Sequence, residues 1–217
     1  MINILLVDDH ELVRTGIRRI LGEIRGINVI GEANSGEEAV KWCRKQPMDI
    51  VLMDINMPGI GGIEAARKIL RYSPEIRIII LTMHTENPLP TKIMQAGMSG
   101  YLSKAISPQE MVHAIRTVHL GQRYIEPAIA QQIALDQLSS DNNSNRLDQL
   151  SERELQVMLM LTQGQKAVDI AHQLNLSPKT INSYRYRMFQ KLNVHSDVEL
   201  THLAIQHHLI NPRPLPT

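Results

Sequence analysis

The chain has 217 residues, a formal net charge of +1 from 23 Lys and Arg against 22 Asp and Glu, and a hydrophobic fraction of 43% with 3% aromatics. That length suits one large domain or two small ones, and a near-neutral average can hide a local basic face. Cys43 is the single cysteine, which excludes an internal disulfide and a thiolate metal cluster; no run approaches the roughly 20 apolar residues of a membrane span, and Met1 to Asp9 lacks the form of a signal peptide, so the expected location is the cytoplasm.

Apolar runs of strand length occupy Ile2–Val7, Asn28–Ala33, Ile50–Met53, Arg77–Leu81 and Gly100–Leu102. Between them the apolar residues follow helical spacing: Leu12, Ile17, Ile20, Leu21 and Ile24; Ala39, Val40 and Cys43; Ile63, Ala66, Ile69 and Leu70; Ile93, Met94 and Ala96; Met111, Val112, Ile115 and Val118. Ser35 and Ser107-Pro108 mark helix starts. Five βα units in series predict a parallel sheet with helices on both faces, right-handed crossovers, and chemistry at the carboxyl ends of the strands.

From Gln122 to Arg146 the pattern weakens. Pro127–Leu138 suits a short helix, and Ser139-Ser140-Asp141-Asn142-Asn143-Ser144-Asn145 reads as a flexible linker. Helical segments alone follow. Ser151-Glu152-Arg153-Glu154 has capping-box spacing, and that helix runs to about Gln163, before Gly164. Ala167–Leu174, a helix from Ser177-Pro178 to about Leu192, and Ser196–His208 complete the set, and the Pro-rich end from Pro212 is expected to fray.

Asp8 and Asp9 end the first strand and Asp54 ends the third, so their carboxylates converge on one rim. Such a cluster repels itself unless a cation is present, and hard oxygen ligands suit Mg2+. A carboxylate beside that ion can attack phosphorus and become an aspartyl phosphate. Thr82, ending the fourth strand, offers a hydroxyl, and Lys104, after the fifth, an ammonium.

Val7-Asp8-Asp9-His10, Met53-Asp54-Ile55-Asn56-Met57-Pro58-Gly59 and Gly97-Met98-Ser99-Gly100-Tyr101-Leu102-Ser103-Lys104 resemble the receiver domain of two-component response regulators, with its flavodoxin-like five-stranded sheet. The resemblance implies that Asp54 takes a phosphoryl group from a sensor histidine kinase. It also implies that Asp9 and Asp54 ligate Mg2+ directly, Asp8 through water, and Asn56 through its backbone carbonyl. Thr82, Tyr101 and Lys104 would form the phosphate switch, Tyr101 moving from an exposed to an inward position. His84 is a candidate for influencing hydrolysis of the phosphate. Ala105 departs from the family pattern, which often has Pro after the lysine.

Lys166 to Asn182 has helix-turn-helix form, with the turn at Asn175-Leu176 and a seam of Ile170, Leu174, Leu176 and Ile181. From Ser177 to Leu192 there is no acid, while Lys179, Arg185, Arg187 and Lys191 make a basic stripe able to neutralise phosphates. Leu150-Ser151-Glu152-Arg153-Glu154 and Ser177-Pro178-Lys179-Thr180-Ile181 resemble the all-α, four-helix output domain of the NarL/FixJ (LuxR-type) family. By that resemblance Lys179, Thr180, Asn182, Ser183, Tyr186, Arg187 and Lys191 contact DNA. Asn182, Ser183 and Tyr186 would face bases, and Lys179, Arg187 and Lys191 phosphates. Val198, Leu200, Leu203 and Ala204 suit either a dimer contact or the domain core.

The expected organisation is a receiver over 1–121, a linker over 122–146 and a DNA-binding domain over 147–211. Asn87-Pro88-Leu89-Pro90-Thr91, with the segment from Ser177 to Arg187, resembles the GacA/UvrY/SirA/LetA group of global regulators. That implies a hybrid BarA/GacS-like sensor kinase, a homodimer when phosphorylated, and promoters of small regulatory RNAs that titrate a translational repressor. The expected protein is thus a transcription factor and not an enzyme. An output acting by protein contact is the competing reading. A free-standing phosphatase would need a substrate cap, which the sequence does not show.

Overall fold

A computed structural model describes residues 1–83, 89–139, 147–174, 176–206 and 210. His84, Asn87-Pro88, Asn175, residues 140–146 of the expected linker and the Pro-rich end lie outside the described residues. The chain divides into two compact units, the first formed by Met1–Thr85 and Ile93–Ala128, the second containing Ile129–Thr217. No helix among the described residues is long and apolar enough to cross a membrane.

In the first unit, strands β1 (Ile2–Val7), β2 (Ile27–Ala33), β3 (Ile50–Asp54), β4 (Arg77–Thr82), β5 (Gly100–Ser103) and β6 (Tyr124–Ile125) alternate with helices. These are α1 (Glu11–Gly22), α2 (Gly36–Lys45), α3 (Gly61–Tyr72), α4 (Leu89–Gln95, which belongs to this unit from Ile93 on) and α5 (Pro108–His119). The strands pair in parallel in the order β2-β1-β3-β4-β5-β6. The Ile, Leu and Val runs read as strands buried on both faces, and β1, β3 and β4 are almost wholly buried. Ile4, Leu6, Ile50, Leu52, Ile79 and Leu81 join Ile17 and Leu21 of α1 and Ile115 and Val118 of α5 in one core. Their neighbours Leu5, Val7, Val51, Met53, Ile78 and Ile80, also buried, point to the opposite face by the two-residue period of a strand.

The chain goes from β1 to β2 on one side and then crosses to β3 on the other, which makes the carboxyl ends of β1 and β3 the topological switch point. Ser35 and Ser107 accept hydrogen bonds from the amides of Glu38 and Glu110 and so start α2 and α5. Gly62 allows the segment after β3 to turn back: a Cβ there would lie 1.8 Å from the Asp54 carbonyl oxygen.

The expected strands are present with bounds that differ by one residue from the apolar runs, β2 starting at Ile27 and β3, β4 and β5 running through Asp54, Thr82 and Ser103. Asp54, expected at the end of the third strand, pairs with Leu81 of β4. Tyr124–Ile125, expected in the linker, forms a sixth strand against Gly100 and Tyr101. Two residues are too few to carry a period, so only the pairing partner reveals this strand.

The second unit is helical: α6 (Pro127–Ser139, which begins in the first unit), a 3-10 turn at Leu147–Gln149, α7 (Glu152–Thr162), α8 (Ala167–Gln173), α9 (Pro178–Leu192) and α10 (Asp197–Gln206). Leu155, Met158, Ile170, Leu174, Ile181, Met188, Leu192, Leu200 and Ala204 are buried there. The expected capping box on α7 is present, Glu154 accepting from the Ser151 amide at 2.8 Å. Ser177 caps α9 through the Thr180 amide at 3.1 Å, Pro178 fills the first turn, and Asn193 closes the helix at φ 54°. Of the expected seam, Ile170, Leu174 and Ile181 are buried and Leu176 is half-buried.

Candidate functional site

Four strand ends meet at the switch point. Asp8 follows β1, Asp54 and Thr82 are the last residues of β3 and β4, and Lys104 follows β5. Asp8, Asp54 and Thr82 are each at most 2% exposed. The Lys104 amide donates to the Thr82 carbonyl at 2.8 Å, which ties the end of β5 to β4. The Lys104 ammonium then lies 2.6 Å from Asp8 Oδ2 and 2.8 Å from Asp54 Oδ2. The Asn56 amide donates to Asp54 Oδ1 at 3.2 Å, and Arg14 donates to the Asp8 carbonyl at 2.6 Å.

Burial pushes the Asp54 carboxyl above the ordinary carboxylate range; Lys104 pulls against this, and the Asp8 charge adds to it. Burial pulls the Lys104 ammonium down, but its pairs with Asp54 and Asp8 outweigh that and leave it above the ordinary lysine value. The pocket thus concentrates negative charge in a dry place. Asp8 Oδ2 and Asp54 Oδ2 are buried and meet the lysine as an ion pair rather than in a regular hydrogen bond. Asp8, Asp9, His10 and Asp54 each offer one ligand atom, all within 4.8 Å of one another. This oxygen-rich set fits a hard divalent cation. His10 is the member that the sequence reading of the cluster missed, because it lies beyond the strand end.

Tyr101 is fully buried and its hydroxyl is hydrogen-bonded to that of Thr82. Burial pushes the phenol well above its ordinary range, with Thr82 opposing. The ring is in the inward one of the two positions expected for the switch. At Ala105 the departure from the family pattern has a local use: its amide donates to Ser103 Oγ at 3.0 Å, a bond that proline cannot make.

In the second unit α9 buries Ile181, Met188 and Leu192 and exposes Lys179, Asn182, Ser183, Tyr186, Arg187 and Gln190. The exposed positions recur at helical spacing and form one continuous face. Thr180 is half-buried, its hydroxyl 2.8 Å from Ser177 Oγ. Ser183 donates to the Lys179 carbonyl at 2.9 Å, and Gln190 donates to the Tyr186 hydroxyl oxygen at 3.0 Å. Arg185 is committed elsewhere, in a two-point pair with Asp197 at 2.7 and 2.5 Å.

The basic residues of α9 are therefore not equivalent. Lys191 Nζ lies 2.6 Å from Oε2 of Glu154, a carboxylate whose side chain is 3% exposed. Arg187, 53% exposed, is only 3.7 Å from Glu154 Oε1 and stacks 4.8 Å above the Tyr184 ring. Burial pushes Glu154 up, but Lys191 and the Ser151 donors outweigh it and hold the carboxyl below its ordinary range. Glu154 thus joins α7 to α9, a role that the capping-box spacing does not announce. Among the residues suited to a dimer contact or the core, Leu200 and Ala204 are 0% exposed and belong to the core of the unit, which takes Leu200 off the list of dimer residues. Val198 is 64% exposed and Leu203 half-buried.

Residues 4–116 match the family described as the response regulator receiver domain, and residues 148–204 match the bacterial regulatory proteins of the luxR family. The chain is 65% identical over 215 residues to the response regulator UvrY of Escherichia coli K12, covering 99% of each chain. It is 51% identical to the response regulator GacA of Pseudomonas aeruginosa, covering 97% of this chain and 99% of that one. Among solved structures it resembles the Salmonella typhimurium RcsB response regulator with a TM-score of 0.71 and 26% identity, over 94% of this chain and 97% of that one. RcsB bound to a promoter in the presence of a phosphomimetic matches with a TM-score of 0.70 and 26% identity, over 93% and 97% of the two chains.

Proposed function

The chain belongs to the two-component response regulators with a LuxR-type DNA-binding output, and from that premise we propose that Asp54 accepts the phosphoryl group that turns this output on. The observation that carries the proposal is the convergence of Asp8, Asp54, Thr82 and Lys104 at one sheet edge, with one ammonium between the two buried carboxylates. Asp9 and Asp54, with Asp8 through water and the Asn56 carbonyl, are the groups that would hold Mg2+. That ion, when bound, offsets charge on the transferring group.

The reaction asks little else of the protein. A carboxylate oxygen of Asp54 bonds to phosphorus as the bond between phosphorus and the kinase histidine nitrogen breaks. Lys104 is already 2.8 Å from Asp54 Oδ2, so a short movement brings it to a phosphoryl oxygen. Thr82 supplies a hydroxyl from the neighbouring strand. Phosphate acts by adding contacts through Thr82 and Lys104 to the arrangement in which Tyr101 is inward, which is a shift of population.

The donor is a BarA/GacS-like hybrid sensor kinase, a reading that rests on the motif resemblance to the GacA/UvrY/SirA/LetA group. Phosphorylation favours a homodimer in the cytoplasm, and two α9 helices read two half-sites in promoters of small regulatory RNAs. Lys179 and Arg187 contact phosphates, Asn182, Ser183 and Tyr186 face bases, and Val198 and Leu203 contribute to the dimer. Thr180 lies beside the backbone at the helix start. Lys191 contributes less than Arg187 because Glu154 holds it. The receiver is assigned to residues 1–121 with β6 appended, and the output to 147–211.

The experiment is a genome-wide pull-down of bound DNA with and without acetyl phosphate and Mg2+, for the wild type and Asp54→Asn. The expected result is phosphate-dependent enrichment of a few promoters, lost in the variant. Equal enrichment in the variant overturns Asp54 as the switch. Enrichment of nothing favours an output that acts by protein contact.

A further inference from the structure

We propose that His10 is a nitrogen ligand of the metal in this pocket and tunes it toward first-row transition dications such as Mn2+ over Mg2+. The inference deepens the reading of the pocket as a metal-assisted phosphoacceptor site and rests on it.

His10 Nδ1 lies 3.0 Å from Asp9 Oδ1 and 3.2 Å from Asp8 Oδ1. Ligand atoms that share an edge of an octahedron with bonds of about 2.1 Å are about 3 Å apart. The nitrogen therefore already stands at coordination spacing from two carboxylate oxygens, one from each residue. All the ligand atoms, that of Asp54 included, fall within 4.8 Å of one another.

The backbone holds the ring there. The His10 amide donates to Asp8 Oδ1 at 2.9 Å. His10 is the N-cap of α1 with extended dihedrals, φ −89° and ψ 108°, yet its side chain makes no capping bond. The ring is left to the pocket while remaining 66% exposed, so it spans the solvent side of a site whose Asp8 and Asp54 side chains are at most 3% exposed.

A single Nδ1–H cannot serve two acceptors equally well, and Asp9 Oδ1 is left without a hydrogen bond of regular geometry. One cation at this point would meet the lone pairs of His10 Nδ1 and Asp9 Oδ1 directly and reach Asp8 Oδ1 through a bound water. Imidazole nitrogen raises affinity for transition metals, whereas Mg2+ favours oxygen and retains its water. A histidine in this shell should therefore alter the ratio of the two affinities.

The test is calorimetric titration of the full chain with Mn2+ and with Mg2+, for the wild type, His10→Ala and His10→Asn, joined to pulsed electron paramagnetic resonance of the Mn2+ complexes. Asn keeps a good N-cap for α1, so a loss common to both variants does not come from a damaged helix start. The expected result is nitrogen hyperfine coupling in the wild type, absent from both variants. Mn2+ affinity should fall roughly tenfold or more, in the range that ligand-shell changes produce, with Mg2+ affinity nearly unchanged. Bound Mn2+ without nitrogen coupling, or equal losses for both ions, overturns the role of His10 and leaves the pocket reading standing. Failure of the wild type to bind either ion overturns the pocket reading and this proposal together.

Discussion

Lys104 Nζ lies 2.8 Å from Asp54 Oδ2, so the ammonium placed to receive a phosphoryl oxygen already rests on the carboxylate that would carry the phosphate. The same ammonium is 2.6 Å from Asp8. One cation therefore holds two buried carboxylates together until something replaces it.

Removing that cation should expose its structural role. Lys104→Ala leaves Asp8 and Asp54 buried without their ammonium, and breaking a buried pair costs about 3–5 kcal/mol. The thermal midpoint of the first unit should fall in chelator and recover in part with Mg2+, while labelling by acetyl phosphate stays depressed even at saturating Mg2+. A midpoint equal to that of the wild type in chelator would show that Lys104 does not hold the pocket together.

The pH response of the pocket follows from the raised Asp54 value. Burial first, with Asp8 assisting against Lys104, makes the folded state retain its proton to higher pH than the unfolded chain. As pH rises through that interval the metal-free fold loses stability, because the unfolded chain ionises more readily. A bound divalent cation reverses the preference for the neutral form. Labelling by acetyl phosphate, followed against pH, should reach its midpoint at lower pH in saturating than in limiting Mg2+. Coincident profiles would mean that Asp54 does not sense the ion.

The pocket was legible in sequence because strand ends are. Asp8, Asp54, Thr82 and Lys104 each terminate an apolar run, and a parallel sheet brings such ends to one rim. Tyr124–Ile125 was not legible, since a two-residue strand has no period to detect. Lys191 read as a free cation on a basic stripe, but its partner Glu154 lies 37 positions away in sequence. Val198 and Leu200 are equally apolar and two residues apart, and only packing separates the exposed one from the core. The inward Tyr101 is one of the two positions expected from the resemblance, and its neighbour Thr82 lies on the adjacent strand, 19 positions away in sequence.

Glu154 should make the second unit sensitive to acid. Burial alone would raise its value, but Lys191 and Ser151 lower it below the ordinary range. A depressed carboxylate stabilises the fold above its unfolded pKa, and that contribution is lost as pH falls through the folded one. Unfolding of the wild type by denaturant should show stability dropping below about pH 4.5. Glu154→Gln should be less stable at neutral pH and lose less on acidification. Parallel pH curves for the two would remove the ion pair from the account.

The two cations that Glu154 faces should separate in DNA binding. Each phosphate contact adds about 0.9 to the slope of log affinity against log salt. Arg187 is 53% exposed and 3.7 Å from Glu154, whereas Lys191 is closed on it at 2.6 Å. Arg187→Ala should therefore flatten the slope by about 1 and weaken binding to all sequences alike. Lys191→Ala should change the slope less but lower the stability of the second unit, because it leaves a buried carboxylate unpaired. Glu154→Gln should steepen the slope, since it frees Lys191 to meet a phosphate. Equal slope losses for Arg187→Ala and Lys191→Ala would mean that DNA draws Lys191 away from Glu154, and the ion pair would then be a feature of the unbound state alone.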